Sequence, residues 1–314
     1  IALAQLRTAG EGTNPEYDVD HGCIAVTLHR VDNDPANPFK PVFRWLDAED
    51  YGETYSPIYY VTERDDISSS NSAEYRAIAC DAIYVPPYVS IDNIESDSIE
   101  VVVAYMVRNR PGEPNDGNWD IEVTAMQWDN ISTNPIKYYN REPTYRPTRQ
   151  LSDYTTDTLD EHNPDIAYYH RLADVYMAYT QQEDLSGNIQ RINYSHYTRS
   201  TNLTHSGFLA QTPDHNGYDP SIDVGTIDIG ATDYDWVVVA YTSQYHANHM
   251  GYHVNATAWR AGSADDYRPT TVSLRNPNHY GRDAGLPCLD IAPKANRDHI
   301  AVCSYTQVID ADGF

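Results

Sequence analysis

The sequence predicts an all-β protein built from a repeated four-stranded unit. Three observations carry this. Short β-branched runs ending in tyrosine recur along the chain, alternating runs with aromatic ends follow most of them, and no segment between them shows helical periodicity. The composition agrees, with 27 Tyr and 5 Trp against only 4 Phe in 314 residues. Rings of that kind build a core while keeping a polar tip satisfied.

The tyrosine runs are IEVVVAYM (Ile99 to Met106), DVYMAYT (Asp174 to Thr180), DWVVVAYT (Asp235 to Thr242) and HIAVCSYT (His299 to Thr306). GCIAVTLH (Gly22 to His29) is a fifth copy, with His29 in the tyrosine's place. Ahead of each stands a first strand: NPEYDVD from Asn14, IACDAIYV from Ile78, NPDIAYY from Asn163, DPSIDVG from Asp219 and LPCLDIA from Leu286. Proline near the start of four of these suits a position whose N–H is not needed by the ladder. Third strands are expected at PVFRW (Pro41), WDIEVTAMQW (Trp119), NIQRINYSHY (Asn188) and GYHVNATAW (Gly251), where the period is two. Fourth strands are expected at IYYVTE (Ile58), PTRQLS (Pro147), FLAQT (Phe208) and PTTVSL (Pro269). Two of these share the lead-in Tyr-Arg-Pro-Thr, at Tyr145 and Tyr267.

Four short antiparallel strands per unit, repeated without helices, predict a β-propeller of five blades. The expected organisation is a single domain over residues 1–314, with blade first strands near 15–19, 78–85, 164–169, 220–224 and 287–291. The opening ALAQLRTAGEGTNPEYDV from Ala2 aligns with FLAQTPDHNGYDPSIDV from Phe208. Ile1 to Arg7 is therefore expected to be a fourth strand that completes the last blade and closes the ring.

The proline-led strand, the VVVAY run and the third strand after a Gly/Asp-rich turn resemble repeats of secreted microbial β-propeller proteins. Some of these are similar in general look to sialidase propellers. The resemblance covers most of the chain and implies the fold more than an activity; the Ser-x-Asp-x-Gly-x-x-Trp box of the sialidases is absent. Five-bladed propellers also include glycoside hydrolases with two Asp and one Glu around the channel, and DPSI from Asp219 is similar to the Asp-Pro opening of one such family. No matching glutamate motif follows at a later blade start.

The net charge is −25, with 33 Asp against 13 Glu. Aspartate favours turns and calcium, and a chain without a basic footprint excludes nucleic acid as a partner. No run reaches the roughly 18 apolar residues of a membrane-spanning helix.

Three first strands carry an aspartate in one register: Asp18, Asp223 and Asp290. Converging on the channel, such carboxylates serve either as a cation site or as the acid and nucleophile of a glycosidase. The competing reading is structural, with the carboxylates accepting backbone N–H groups of neighbouring blades. Asp310 and Asp312, two apart in IDADGF, resemble the start of a calcium loop without its later positions.

The four cysteines lack CxxC spacing, which leaves free thiols or two disulfides, Cys288 with Cys303 inside one blade and Cys23 with Cys80 across two. Sequons at Asn130, Asn193, Asn202 and Asn255 add to the case for an exported glycoprotein. Asn193 and Asn255 each lie four residues before the aromatic end of a third strand and so occupy equivalent blade positions. The expected function is a non-catalytic extracellular module, structural, adhesive or glycan-binding, which assembles with copies of itself into a filament or surface layer or binds cell-surface glycans. The alternative is a secreted glycoside hydrolase using channel carboxylates.

Overall fold

A computed structural model describes residues 1–5, 7–8, 23–30, 39–46, 55–61, 73–85, 98–108, 117–129, 143–147, 159–169, 174–182, 189–198, 203–209, 215–229, 232–245, 252–262, 270–273, 284–292 and 300–307. These form β-strands grouped in five sheets. The first sheet holds β1 (Ala2–Gln5), β3 (Cys23–Arg30), β4 (Phe39–Leu46) and β5 (Tyr59–Tyr60). The second holds β2 (Arg7–Thr8), β6 (Glu74–Val85), β7 (Ser98–Arg108), β8 (Asp120–Asp129) and β9 (Thr144–Pro147). The third is β10 (Glu161–Tyr169), β11 (Asp174–Gln182), β12 (Gln190–Thr198) and β13 (Leu203–Phe208). The fourth is β14 (His215–Ile229), β15 (Thr232–Tyr245), β16 (His253–Arg260) and β17 (Thr270–Ser273), and the fifth is β18 (Ala284–Ala292) with β19 (Ile300–Gln307). Within each sheet the strands pair in chain order and antiparallel, except for the parallel pairing of β2 with β6.

The first strands of consecutive sheets, β1, β6, β10, β14 and β18, lie beside one another, and a core separates each sheet from the next. Ile24 and Trp45 meet Val101 and Trp128 between the first two sheets. Val102 and Ile121 then meet Tyr168 and Met177; Tyr176 and Ile192 meet Val237 and Trp259; Val238 and Ala240 meet Leu289 and Ile291. The tyrosine runs are apolar without alternation because both faces of β7, β11 and β15 are covered by neighbouring sheets. Gly225 permits the closest approach: a Cβ there would stand 2.6 Å from Cγ2 of Ile291, so only glycine lets the fourth and fifth sheets meet.

Each of β6, β10, β14 and β18 carries a bulge near its start, with a non-glycine residue at positive φ: Ala77 at 37°, Asn163 at 49°, Asp219 at 48° and Leu286 at 54°. The ladder shifts register at this point in all four strands. The bulge is thus a repeated part of the unit, and the proline after Asn163, Asp219 and Leu286 is its sequence mark.

The N-terminal strand departs from expectation. Ala2–Gln5 pairs antiparallel with Cys23 to Val26, in the inner position of the first sheet, and not with the fifth. Alternation explains the choice: Ala2 and Ala4 stand opposite Val26 and Ile24, so the small Ala4 side chain fills the core beside Ile24 and Trp45. The segment 15–19, expected as the first inner strand, lies outside the described residues, as do Asp18, Asp310, Asp312, Asn130 and Asn202.

The cysteines are free thiols. Cys288 stands opposite Ser304 and Cys303 opposite Leu289, so the two thiols are one residue out of register. A slip of one residue puts side chains on opposite faces of the sheet, which is why the expected Cys288–Cys303 bridge does not form. Cys23, on β3, and Cys80, on β6, remain separate thiols in neighbouring sheets, and burial pushes both upward in pKa.

Asn193 and Asn255 do occupy equivalent places, opposite Tyr179 and Tyr241 of the tyrosine runs. The place is internal, however. Asn193 is 7% exposed and its amide donates to Tyr179 Oη at 3.4 Å and to Gln181 Oε1, so in the folded chain it is not open to a glycan. Asn255 is half-buried in β16.

Candidate functional site

Two sets of polar groups follow from the repeat: an aspartate belt midway along the inner strands, and a charged, aromatic cluster where those strands begin.

In the belt, Asp223 is buried and both its oxygens accept backbone N–H groups. Oδ1 takes its own neighbour Val224 at 2.7 Å, and Oδ2 reaches across to Ile291 of the fifth sheet at 2.5 Å. Asp81 repeats the pattern one interface earlier, accepting Ala82 N at 2.8 Å and Tyr168 N of the third sheet at 2.8 Å. Asp165 joins the third sheet to the fourth: Oδ1 accepts Ile166 N at 3.0 Å, and Oδ2 accepts Ile222 N at 2.8 Å and the Ser221 hydroxyl at 3.1 Å. Ser221 in turn accepts Leu289 N at 3.0 Å. Burial pushes Asp165 up to about 6, against the three hydrogen bonds that favour its charged form.

These carboxylates bind sheet to sheet. Asp290 shares the register of Asp81 and Asp223, four residues after the bulge, but is exposed on β18. The belt therefore brings Asp81, Asp165 and Asp223 onto backbone groups rather than into an open cleft. Asp81 and Asp165 were not singled out from the sequence. The bulge shows why: counted from its positive-φ residue, Asp81 falls in line with Asp223, whereas Asp165 sits two residues earlier.

At the starts of β6, β10 and β14 the groups are of a different kind. Antiparallel pairing brings the end of β7 and the start of β8 to the same edge as Glu74. Glu74 holds two arginines: Oε1 accepts Arg76 at 2.9 and 3.1 Å, and Oε2 accepts Arg108 Nε at 2.8 Å with a second bond from Nη2. Both guanidinium groups lie on the Trp119 ring, at 4.6 Å for Arg76 and 4.7 Å for Arg108. Trp119 is pinned from the next sheet, its backbone N–H donating to Asp160 Oδ1 at 2.8 Å while Ile121 N donates to Glu161 Oε2 at 3.1 Å.

Asp160 leads on to His162, whose Nε2 lies 4.0 Å from Oδ2. Burial lowers the His162 pKa, against the pull of Asp160 and Asp219. Asn163 Nδ2 donates to Asp219 Oδ1 at 2.5 Å, bridging two inner strands at their bulges. Tyr218 and Tyr252 complete the row with ring centroids 6.1 Å apart, and burial raises the Tyr218 hydroxyl. Guanidinium groups, carboxylates and aromatic rings at one edge match what polar, ring-shaped ligands require. Among the described residues, no three His, Cys, Asp or Glu side chains converge as a metal centre.

No family model matches the chain, and no curated protein matches it. Similar solved structures include a glycoside hydrolase family 32 protein from Bifidobacterium adolescentis, at 8% identity and a TM-score of 0.42, over 90% of this chain and 50% of that one. Another is Trypanosoma rangeli sialidase, at 9% identity and a TM-score of 0.30, over 96% of this chain and 55% of that one. Both are propeller-type folds, and this chain spans about half the length of each. At these scores the likeness carries no argument about chemistry.

Proposed function

We propose that the chain is a five-bladed β-propeller that works outside the cell as a non-catalytic, glycan-binding module. The observation that supports this best is the fate of the inner aspartates. Asp81, Asp165 and Asp223 hold neighbouring sheets through backbone N–H groups, so Asp223, one of the three carboxylates expected to serve a channel glycosidase, is engaged in the fold. The ligand surface in this reading is the row at the strand starts, where Arg76 and Arg108, held on the buried Trp119 ring, offer hydrogen bonds and the exposed Tyr252, beside Tyr218, offers a ring face. Export is supported by the acidic, tyrosine-rich composition and the sequon at Asn255, no longer by disulfides. Adhesion to cell-surface glycans, or assembly of copies into a filament or surface layer, extends the same proposal.

The test is a glycan-array screen followed by titration calorimetry on the wild type and Tyr252→Ala, a substitution at an exposed ring. Binding of a polysaccharide without turnover, weakened about tenfold by the substitution, is expected, since one lost stacking platform costs about 1–3 kcal/mol. Release of reducing sugar by the wild type, abolished in Asp160→Asn or Asp219→Asn, would overturn the module and favour a secreted glycoside hydrolase acting at the same edge.

A further inference from the structure

The opposite end of the second sheet carries a largely buried oxygen cluster that is part of neither the aspartate belt nor the row at the strand starts. Ser98 and Glu100 are two apart on β7, and Gln127 and Asp129 are two apart on β8. In register, Ser98 stands opposite Asp129 and Glu100 opposite Gln127. All four side chains are therefore on one face, the face that continues through Val102, Ala104 and Ala125 into the core shared with the third sheet.

Two of these groups have unanswered oxygens. Ser98 is 0% exposed and its Oγ has no hydrogen-bond partner among the described residues; Gln127 is 4% exposed and its Oε1 has none among them either. The orientation of the Gln127 amide follows from its other arm, where Nε2 donates to Asp129 Oδ1 at 2.8 Å. Oε1 is thereby turned away from Asp129, and the residue opposite Gln127 on β7 is Glu100. Glu100 is itself buried and accepts the Tyr168 hydroxyl at 2.9 Å on Oε1. An unsatisfied buried oxygen is unfavourable, and two on the sheet face that carries a pair of carboxylates call for a positive partner.

We infer that Ser98, Glu100, Gln127 and Asp129 form a structural site for a hard divalent cation, with calcium the best match. The donor set is all oxygen: two carboxylates, an amide carbonyl and a hydroxyl, the mixture Ca²⁺ accepts and softer metals do not prefer. Two negative charges balance a divalent ion. The Tyr168 hydroxyl, held on Glu100, would fix the ligand carboxylate from the second sphere and tie the third sheet to the ion. A cation there joins β7 and β8 where β7 begins, at the far end of the sheet from Glu74 and Arg108. The inference stands independently of glycan binding.

Terbium is the direct probe, because Tyr168, whose hydroxyl is bonded to Glu100, lies close enough to sensitise its emission. The wild-type chain is expected to give saturable terbium luminescence that calcium displaces, and calcium is expected to raise Tm by a few degrees over EDTA. Glu100→Gln, with its fold checked by circular dichroism, is expected to weaken the displaceable signal about tenfold or more. Ser98→Ala provides the second variant, since it removes one ligand oxygen and little volume; it is expected to reduce affinity while leaving the EDTA-treated Tm unchanged or higher. An equal Tm in calcium and EDTA would mean that water answers the orphan oxygens and would overturn the site. Terbium binding indifferent to both substitutions would overturn it as well, by assigning the ion to the acidic surface.

Discussion

Asp223 and Asp290 occupy the same register of adjacent inner strands, yet one is buried with both oxygens on backbone N–H groups and the other is exposed at the last sheet. The motif is the same; what differs is burial, since Asp223 is covered where the fourth sheet meets the fifth and Asp290 is open to solvent. The comparison teaches that the repeated aspartate is an inter-sheet latch whose energy depends on the neighbour rather than on the residue. It also separates the belt from the strand starts, where Glu74, Asp160 and Asp219 engage side chains and edge N–H groups and remain near solvent.

Substituting the latch gives the largest expected effect. Asp223→Ala leaves the Val224 and Ile291 N–H groups buried without an acceptor, a loss of about 2–5 kcal/mol. Asp290→Ala, at an exposed position, is expected to change stability by no more than about 0.5 kcal/mol. Urea unfolding of the two variants measures both. Equal losses would show that Asp290 is latched as firmly as Asp223, and the contrast would fail.

Acidity sharpens the same comparison at Asp165, the latch pushed up to about 6 from an ordinary 3.8. Because its folded pKa is the higher one, the folded chain keeps a proton that the unfolded chain has already released between those values. Its contribution to stability is therefore complete below about pH 4 and declines as pH rises to about 6, then stays level. The span is worth roughly 3 kcal/mol at most. Asp165→Asn is expected to flatten this part of the stability–pH curve in thermal melts. The amide still accepts at Oδ1, but its Nδ2 cannot accept Ile222 N–H or Ser221, so the variant is also expected to be less stable at pH 7. An unchanged slope would show that Asp165 is ionised throughout.

The repeat was legible because its second strands are buried on both faces and so spell VVVAY in nearly continuous apolar letters. Third strands were equally clear, since β8, β12 and β16 alternate. Fourth strands were less so. The sequence placed one at Pro147, whereas β9 ends there, and one at Phe208, which closes β13. Two-to-six-residue outer strands have too few positions for a period to register. The N-terminal strand was misplaced for a related reason: Ala2–Gln5 is four residues long, and similarity to the segment at Phe208 outweighed the Ala2/Ala4 alternation that places it beside Val26 and Ile24.

The charged cluster at the strand starts was almost invisible in the sequence, because Glu74 and Arg76, Arg108, Trp119 and Asp160 come from four separate segments. Only cross-strand pairing and the Trp119 N–H to Asp160 bond bring them together. The latch, by contrast, was half legible. Asp223 and Asp290 follow a proline at fixed spacing, while Asp81 follows Ile78 with no proline to mark the bulge.

The bulge itself supplies the smallest expected effect. Leu286 holds φ at 54° with its side chain 65% exposed, so a bulky residue bears a left-handed backbone without core packing in return. That conformation costs a non-glycine residue about 1–2 kcal/mol. Glycine removes the strain but loses more backbone entropy on folding, about 0.5–1 kcal/mol. Leu286→Gly is thus expected to stabilise the chain by about 0.5 kcal/mol, and the Leu286 N–H to Thr242 Oγ1 bond of 3.1 Å survives because it uses only backbone at this position. At Asn163 the same exchange also deletes the Nδ2 bond to Asp219, so Asn163→Gly is expected to gain nothing. A larger gain at Asn163 than at Leu286 would show that the Asn163–Asp219 bridge contributes no stability.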